Sequence, residues 1–124
     1  MRKLNQVEKN GTMKLKKGWV ATQINEDIVQ IGTPFVRPDG DHITFYMTDI
    51  WLTDEGDFWH ETQSRFENEI DIASKIKEVL KKYDRIFFDG MDKNIYRERL
   101  YKTHDEIYNF GKALNELYQI KFEA

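Results

Sequence analysis

The stretch DHITFYMTDIWLTDEG, Asp41–Gly56, decides how the rest of the chain is read. From His42 to Thr48 the residues alternate. Ile43, Phe45 and Met47 fall on one face of an extended segment and His42, Thr44, Tyr46 and Thr48 on the other, the period-two signature of a half-buried strand. Ile50–Thr53 then pairs back onto that strand through the short connection at Thr48-Asp49, and Asp54-Glu55-Gly56-Asp57 makes a turn.

Upstream, Pro38-Asp39-Gly40-Asp41 is a strong turn signal. Before it, Trp19–Ile24 and Ile28–Ile31 read as a hairpin across Asn25-Glu26-Asp27, and Thr33-Pro34-Phe35 closes the second run because Pro34 cannot donate to a ladder. Downstream, Ile72, Ile76, Val79, Leu80 and Tyr83 recur at helical spacing, which predicts a helix over 70–83 with Asp71 as its cap. Arg85–Phe88 and Asn94–Leu100 form a further hairpin, with Asp89-Gly90 supplying a positive φ. Thr103 and Glu106 match a capping box, and Ile107, Phe110, Leu114, Leu117 and Tyr118 make one apolar stripe, which predicts a second helix over 103–122. The expected fold is α+β: a small, mostly antiparallel sheet covered by these two helices.

The 124 residues fit one domain, and the absence of cysteine excludes disulfides, thiolate zinc sites and thiol nucleophiles. No apolar run approaches the roughly 20 residues of a membrane span, so a cytoplasmic protein is expected. Charge is polarised. Residues 1–18 carry Arg2, Lys3, Lys9, Lys14, Lys16 and Lys17 against Glu8 alone, and are read as a basic mobile arm before a single domain over 19–124. Asp39 to Glu61 holds seven acids and no Lys or Arg.

The segments IVQIGTPF (Ile28–Phe35), DHITFYM (Asp41–Met47) and LTDEG (Leu52–Gly56), in that order, resemble the bacterial and prophage domain-of-unknown-function family 1828. The resemblance runs from Ile28 onward. It implies a helix, a short hairpin and a C-terminal helix after the acidic turn, and a setting among phages and mobile elements, with no reaction attached. Here the turn carries Glu55 as its second acid, and the basic arm and Trp19–Ile24 stand where the family has a longer helical lead-in.

The acids Asp39, Asp41, Asp49, Asp54, Glu55, Asp57 and Glu61 admit three readings: solubilising turn residues, an anionic face that docks on a basic groove, or a divalent-metal site. The turn lacks the full spacing of a calcium loop. A nuclease centre on Asp39, Asp41, Asp54 and Glu61 would lack the lysine that assists the attacking water. His42, His60 and His104 lack the paired spacing of zinc enzymes, no serine sits in a nucleophile elbow, and the glycines do not group into a phosphate loop. No catalytic residue, cofactor or bound metal is expected. Trp51 is read as a core residue. Of Phe58 and Trp59 one is expected to be exposed, since neighbours in an extended chain point to opposite sides.

The leading expectation is therefore non-enzymatic: a phage- or mobile-element protein that binds a host protein with a basic groove. Its partner-binding face would comprise Asp39, Asp41, Asp49, Asp54, Glu55, Asp57, Trp59 and Glu61. One concrete form is an inhibitor of a defence nuclease, such as an anti-CRISPR protein that imitates nucleic acid. The alternatives are a small metal-dependent nuclease or accessory subunit, and a nucleic-acid-binding module led by the basic arm.

Overall fold

Asn25 sets the first hairpin, its Oδ1 accepting the N–H groups of Asp27 and Ile28 at 2.8 and 3.0 Å. This is the local bonding that makes Asn a turn residue. The computed structural model describes residues 13–63 and 69–120. Its elements are β1 (Val20–Gln23), β2 (Val29–Val36), β3 (His42–Met47), β4 (Trp51–Thr53), α1 (Asp57–Thr62), α2 (Glu69–Leu80), β5 (Phe87–Asp89), β6 (Asn94–Glu98) and α3 (His104–Tyr118). The strands form one antiparallel sheet in the order β1-β2-β3-β4-β6-β5. The fold is α+β, as the alternation in Asp41–Gly56 predicts.

The alternation gives the sheet one buried apolar face, on the side of the two longer helices. Ala21, Val29, Ile31, Ile43, Phe45, Met47, Leu52 and Ile95 are buried there, beneath Ile72 and Ile76 of α2 and Ile107, Phe110, Leu114 and Leu117 of α3. Phe45 meets Phe110 edge to face with centroids 4.9 Å apart, the geometry that ring quadrupoles favour. The capping box forms as read: Thr103 accepts the N–H of Glu106, whose carboxylate accepts the N–H of Thr103.

Several boundaries differ from the sequence reading. β2 runs on to Val36, with its register against β3 shifting between Gly32 and Val36, so that Pro34 sits where the ladder is already interrupted. Asp71 lies inside α2 rather than capping it, and that helix ends at Leu80. α3 ends at Tyr118, and residues 121–122 of the expected helix lie outside the described residues. In the β5–β6 hairpin Lys93, with φ of 62°, takes the left-handed position, not Gly90. The domain also starts before Trp19: Met13 and Leu15, assigned to the arm, pack against the core, and the N–H of Lys16 donates to the Tyr108 hydroxyl at 2.9 Å. The remainder of the arm, 1–12, lies outside the described residues.

α1 is the element missing from the sequence reading. Six residues are too few for a period to show, and its presence reverses the inference about its aromatic pair. In a helix, adjacent residues do not point to opposite sides, and both Phe58 (0%) and Trp59 (6% exposed) are buried.

Candidate functional site

The acids Asp39, Asp41, Asp57 and Glu61 do converge, but on a cation. Arg37 directly follows β2, one residue past Val36, and aims its guanidinium at all four. It lies 2.7 Å from Asp39, 3.0 Å from Asp41, 3.4 Å from Asp57 and 4.0 Å from Glu61. The hydrogen bond from Arg37, with that of the Asp41 N–H, holds the Asp39 carboxyl below the usual range. Burial raises Asp57, opposed by the charge of Arg37. Four carboxylates around one guanidinium tie the β2–β3 turn to α1. The nearest basic residue stood two positions before the acidic stretch, outside the window in which an unbroken sign was read.

Asp54 belongs to neither a surface nor a metal set. Its Oδ1 accepts the N–H groups of Gly56 and Ile95, both at 2.9 Å, and its Oδ2 that of Phe58 at 3.0 Å. It accepts a first-turn N–H of α1 from before the Gly56 cap and pins that turn to β6. Burial pushes its pKa up to about 6, against the opposing effect of the three N–H donors. The expected partner contacts of Asp54 and Trp59 are therefore corrected: both are interior. Trp59 stacks on Phe88 with centroids 5.5 Å apart, and the Lys93 ammonium sits over its ring at 4.7 Å. The nuclease set is also divided, since Asp54 does not join the acids on Arg37. Among the described residues no group of three or more His, Asp or Glu side chains could hold a metal ion.

Asp49 lies in the β3–β4 turn, where its charge and that of Glu106 oppose the lowering of the Arg99 pKa by burial. Glu55 is exposed, with φ of 56°, and its N–H donates to Thr53 Oγ1 at 3.0 Å. Only Glu55 of the acidic-turn residues faces the surface described next.

No described helix covers the second face of the sheet. The register lines up Tyr46, Thr53, Tyr96 and Phe87 as one row across β3, β4, β6 and β5, with Trp51 opposite Glu98 in the adjoining row. Trp51 is 39% and Phe87 52% exposed, which corrects the reading of Trp51 as core. Trp51 meets Tyr96 edge to face at 5.7 Å, and Phe87 meets Tyr96 at 5.8 Å. At one end these rings border an open concavity of about 480 Å³ lined by Thr48, Trp51, Thr53, Glu55, Asp89, Asp92, Asn94 and Tyr96. Three carboxylates line it and no basic side chain does. Asp89 is partly occupied, its Oδ1 accepting the N–H groups of Met91 and Asp92. The side chains of Glu55 and Asp92 make no hydrogen bond or ion pair with any described residue. Sequence reasoning missed Trp51, Tyr96, Phe87, Asp89 and Asp92 because the site joins segments some 40 residues apart. The available signal was parity: Trp51 and Thr53 alternate with buried Leu52, and Asn94, Tyr96 and Glu98 with Ile95 and Arg97.

No protein-family model matches the chain, and no curated protein or solved structure is significantly similar to it. Ile28–Phe35, Asp41–Met47 and Leu52–Gly56 fall on β2, β3 and the β4–α1 turn. No described helix is long and apolar enough to cross a membrane.

Proposed function

We propose that this chain is a binding module that docks a basic protein through the uncovered face of its sheet, between the Trp51–Tyr96–Phe87 rings and the carboxylates of Glu55, Asp89 and Asp92. The observation that carries this reading is the aromatic row beside the carboxylates of Glu55 and Asp92, which make no hydrogen bond or ion pair with any described residue, and the partly occupied Asp89. Exposed Trp and Tyr supply contact area at low entropic cost, and uncompensated charge steers a partner of opposite sign. A sheet with exposed rings also suits single-stranded nucleic acid, but such platforms sit in basic surroundings. Carboxylates line this one, which favours a protein. The acidic, aromatic-edged face read from the sequence over Asp39–Glu61 shares Glu55 with this surface.

Inhibition of a nucleic-acid-handling effector by occupying its cationic channel is one specific form of this proposal, and membership of family 1828, with its phage setting, is another. The first rests on this charge pattern, the second on the sequence resemblance of Ile28–Phe35, Asp41–Met47 and Leu52–Gly56 alone. The experiment is capture from a bacterial lysate by the immobilised protein and by a Trp51→Ala/Glu55→Lys variant, with circular dichroism to verify the fold. Basic proteins retained by the wild type, released by salt and lost by the variant support the reading. Equal retention by both forms moves the interface away from the sheet.

A further inference from the structure

The concavity at the end of the aromatic row has a more specific chemistry than general acidity. It combines the exposed ring of Trp51 and the edge-to-face ring of Tyr96 with the carboxylates of Glu55, Asp89 and Asp92 and the amide of Asn94. The register explains why they meet: Thr53 opposes Tyr96, Asn94 opposes Asp89, and all four side chains stand on the uncovered side. The β4–α1 turn brings Glu55 to one wall, its backbone held by the Thr53 hydroxyl. The β5–β6 turn brings Asp92 to the other, held through the Asp89 carboxylate.

We propose that this concavity takes the guanidinium of an arginine side chain presented by the partner protein. The inference rests on the docking reading above and names the group that the sheet recognises. Arginine is the cation that can use both halves of the site. Its plane can lie against an aromatic face while its edge donates to carboxylates in a paired geometry. An ammonium is a compact, strongly hydrated charge that gains less from the rings. Elsewhere in this molecule the same chemistry is already satisfied internally: Arg37 fills the space among Asp39, Asp41, Asp57 and Glu61. The concavity presents carboxylates without such a guanidinium, so its charge is complemented only from outside among the described residues.

The test uses three capped peptides of one sequence, Gly-Gly-Arg-Gly-Arg-Gly-Gly, with both arginines retained, replaced by lysine, or replaced by neutral, isosteric citrulline. Calorimetry gives affinity, and the indole N–H resonances of the full chain identify the tryptophan that responds. The arginine peptide is expected to shift Trp51 and to leave Trp59 unmoved. The lysine twin should bind at least fivefold more weakly, and the citrulline twin should give no signal. Glu55→Gln/Asp92→Asn, which changes exposed side chains without described partners, should weaken the arginine peptide at least tenfold.

Equal affinity for the lysine twin overturns the guanidinium assignment and leaves the docking reading standing. So does absence of peptide binding at millimolar concentration while lysate capture still depends on Trp51. A shift confined to residues around Arg37 overturns both. A Trp51 response to calcium or to a single-stranded oligonucleotide, without one to the arginine peptide, overturns the inference in favour of that occupant.

Discussion

The Oδ1 of Asp54 accepts the backbone N–H of Ile95 at 2.9 Å, joining two residues 41 positions apart in sequence. The bond gives an acidic turn residue an interior task. Through Asp54 the end of β4, the first turn of α1 and the middle strand of the β4–β6–β5 edge share one carboxylate. Asp54→Ala leaves the N–H groups of Gly56, Phe58 and Ile95 without their acceptor and should cost about 2–4 kcal/mol in chemical denaturation.

The pH dependence of that difference has a definite sign. Asp54 has a folded pKa of about 6, above its ordinary value of 3.8, so the folded chain binds this proton more tightly than the unfolded chain. Relative to Asp54→Ala, the wild type should therefore gain stability as pH falls from about 7 through 6 towards 4, by up to roughly 3 kcal/mol. Denaturant midpoints of both forms at pH 7.5, 6 and 4.5 check this. A gap that narrows as pH falls would show that the three N–H donors, and not desolvation, dominate the carboxylate.

Arg37 should show the opposite trend. Its guanidinium holds Asp39 below the usual carboxylate range, so stability from this contact is present above the ordinary Asp value and lost as pH falls through the lowered one. Arg37→Gln should lower the melting temperature at pH 7, where four carboxylates are left facing one another, and much less at pH 3. High salt at pH 7 should shrink the difference. A melting-temperature loss as large at pH 3 as at pH 7 would mean that the aliphatic stem of Arg37, rather than its charge, does the stabilising.

The alternating faces of His42–Met47, the Asn25 turn, the α3 stripe and the Thr103 box were legible because each is written in neighbours along the chain. The site was not. Its parts, Trp51, Glu55, Asp92 and Tyr96, come together only because β6 inserts beside β4 and places β5 at the edge, an order that no local pattern states. The acids misled for a related reason: the sign of a run says nothing of what lies across from it, and Arg37 and the Ile95 N–H lie across from four of them and from Asp54 respectively. Phe58 and Trp59 were misplaced because a pleat was assumed where the chain makes a short helix.

Gly111 shows the same limit in the packing of the N-terminal segment. It lies in α3, where glycine is usually unfavourable, and a Cβ there would sit 2.5 Å from the Trp19 ring. Trp19 in turn meets Tyr108 edge to face at 5.0 Å and Phe35 at 5.6 Å. Gly111→Ala should destabilise by about 1–3 kcal/mol despite its better helix propensity, through displacement of Trp19. A thermal shift upward would show that the ring moves aside freely. Gly111→Ala in a Trp19→Ala background should recover the propensity gain.

Glu106 and Thr103 stand at the same helix start, yet their removal should differ severalfold. Thr103 contributes an exposed cap, accepting one N–H, and Thr103→Ala should cost about 1 kcal/mol. Glu106 also closes that box, but its carboxylate is buried against two buried guanidinium groups, 3.3 Å from Arg97 and 3.6 Å from Arg99, and accepts the Tyr101 N–H as well. Desolvation raises its pKa, but the N–H of Tyr101 and the two arginines outweigh burial and hold it below the usual value. The ion cluster is therefore stable at neutral pH and weakens as pH falls through that lowered value. Glu106→Ala removes the carboxylate that the two buried guanidinium groups share, leaving Arg97 only its bond to the Asp84 carbonyl and its ion pair with the exposed Asp84 carboxylate and Arg99 only the charge of Asp49, and the Nε atoms of both arginines already lack hydrogen-bond partners. The expected cost is about 3–5 kcal/mol, against about 1 for the cap alone. Urea denaturation of both variants at pH 7 measures the ratio. Equal losses would mean that Glu106 acts only as part of the box and that Arg97 and Arg99 find other solvation once it is gone.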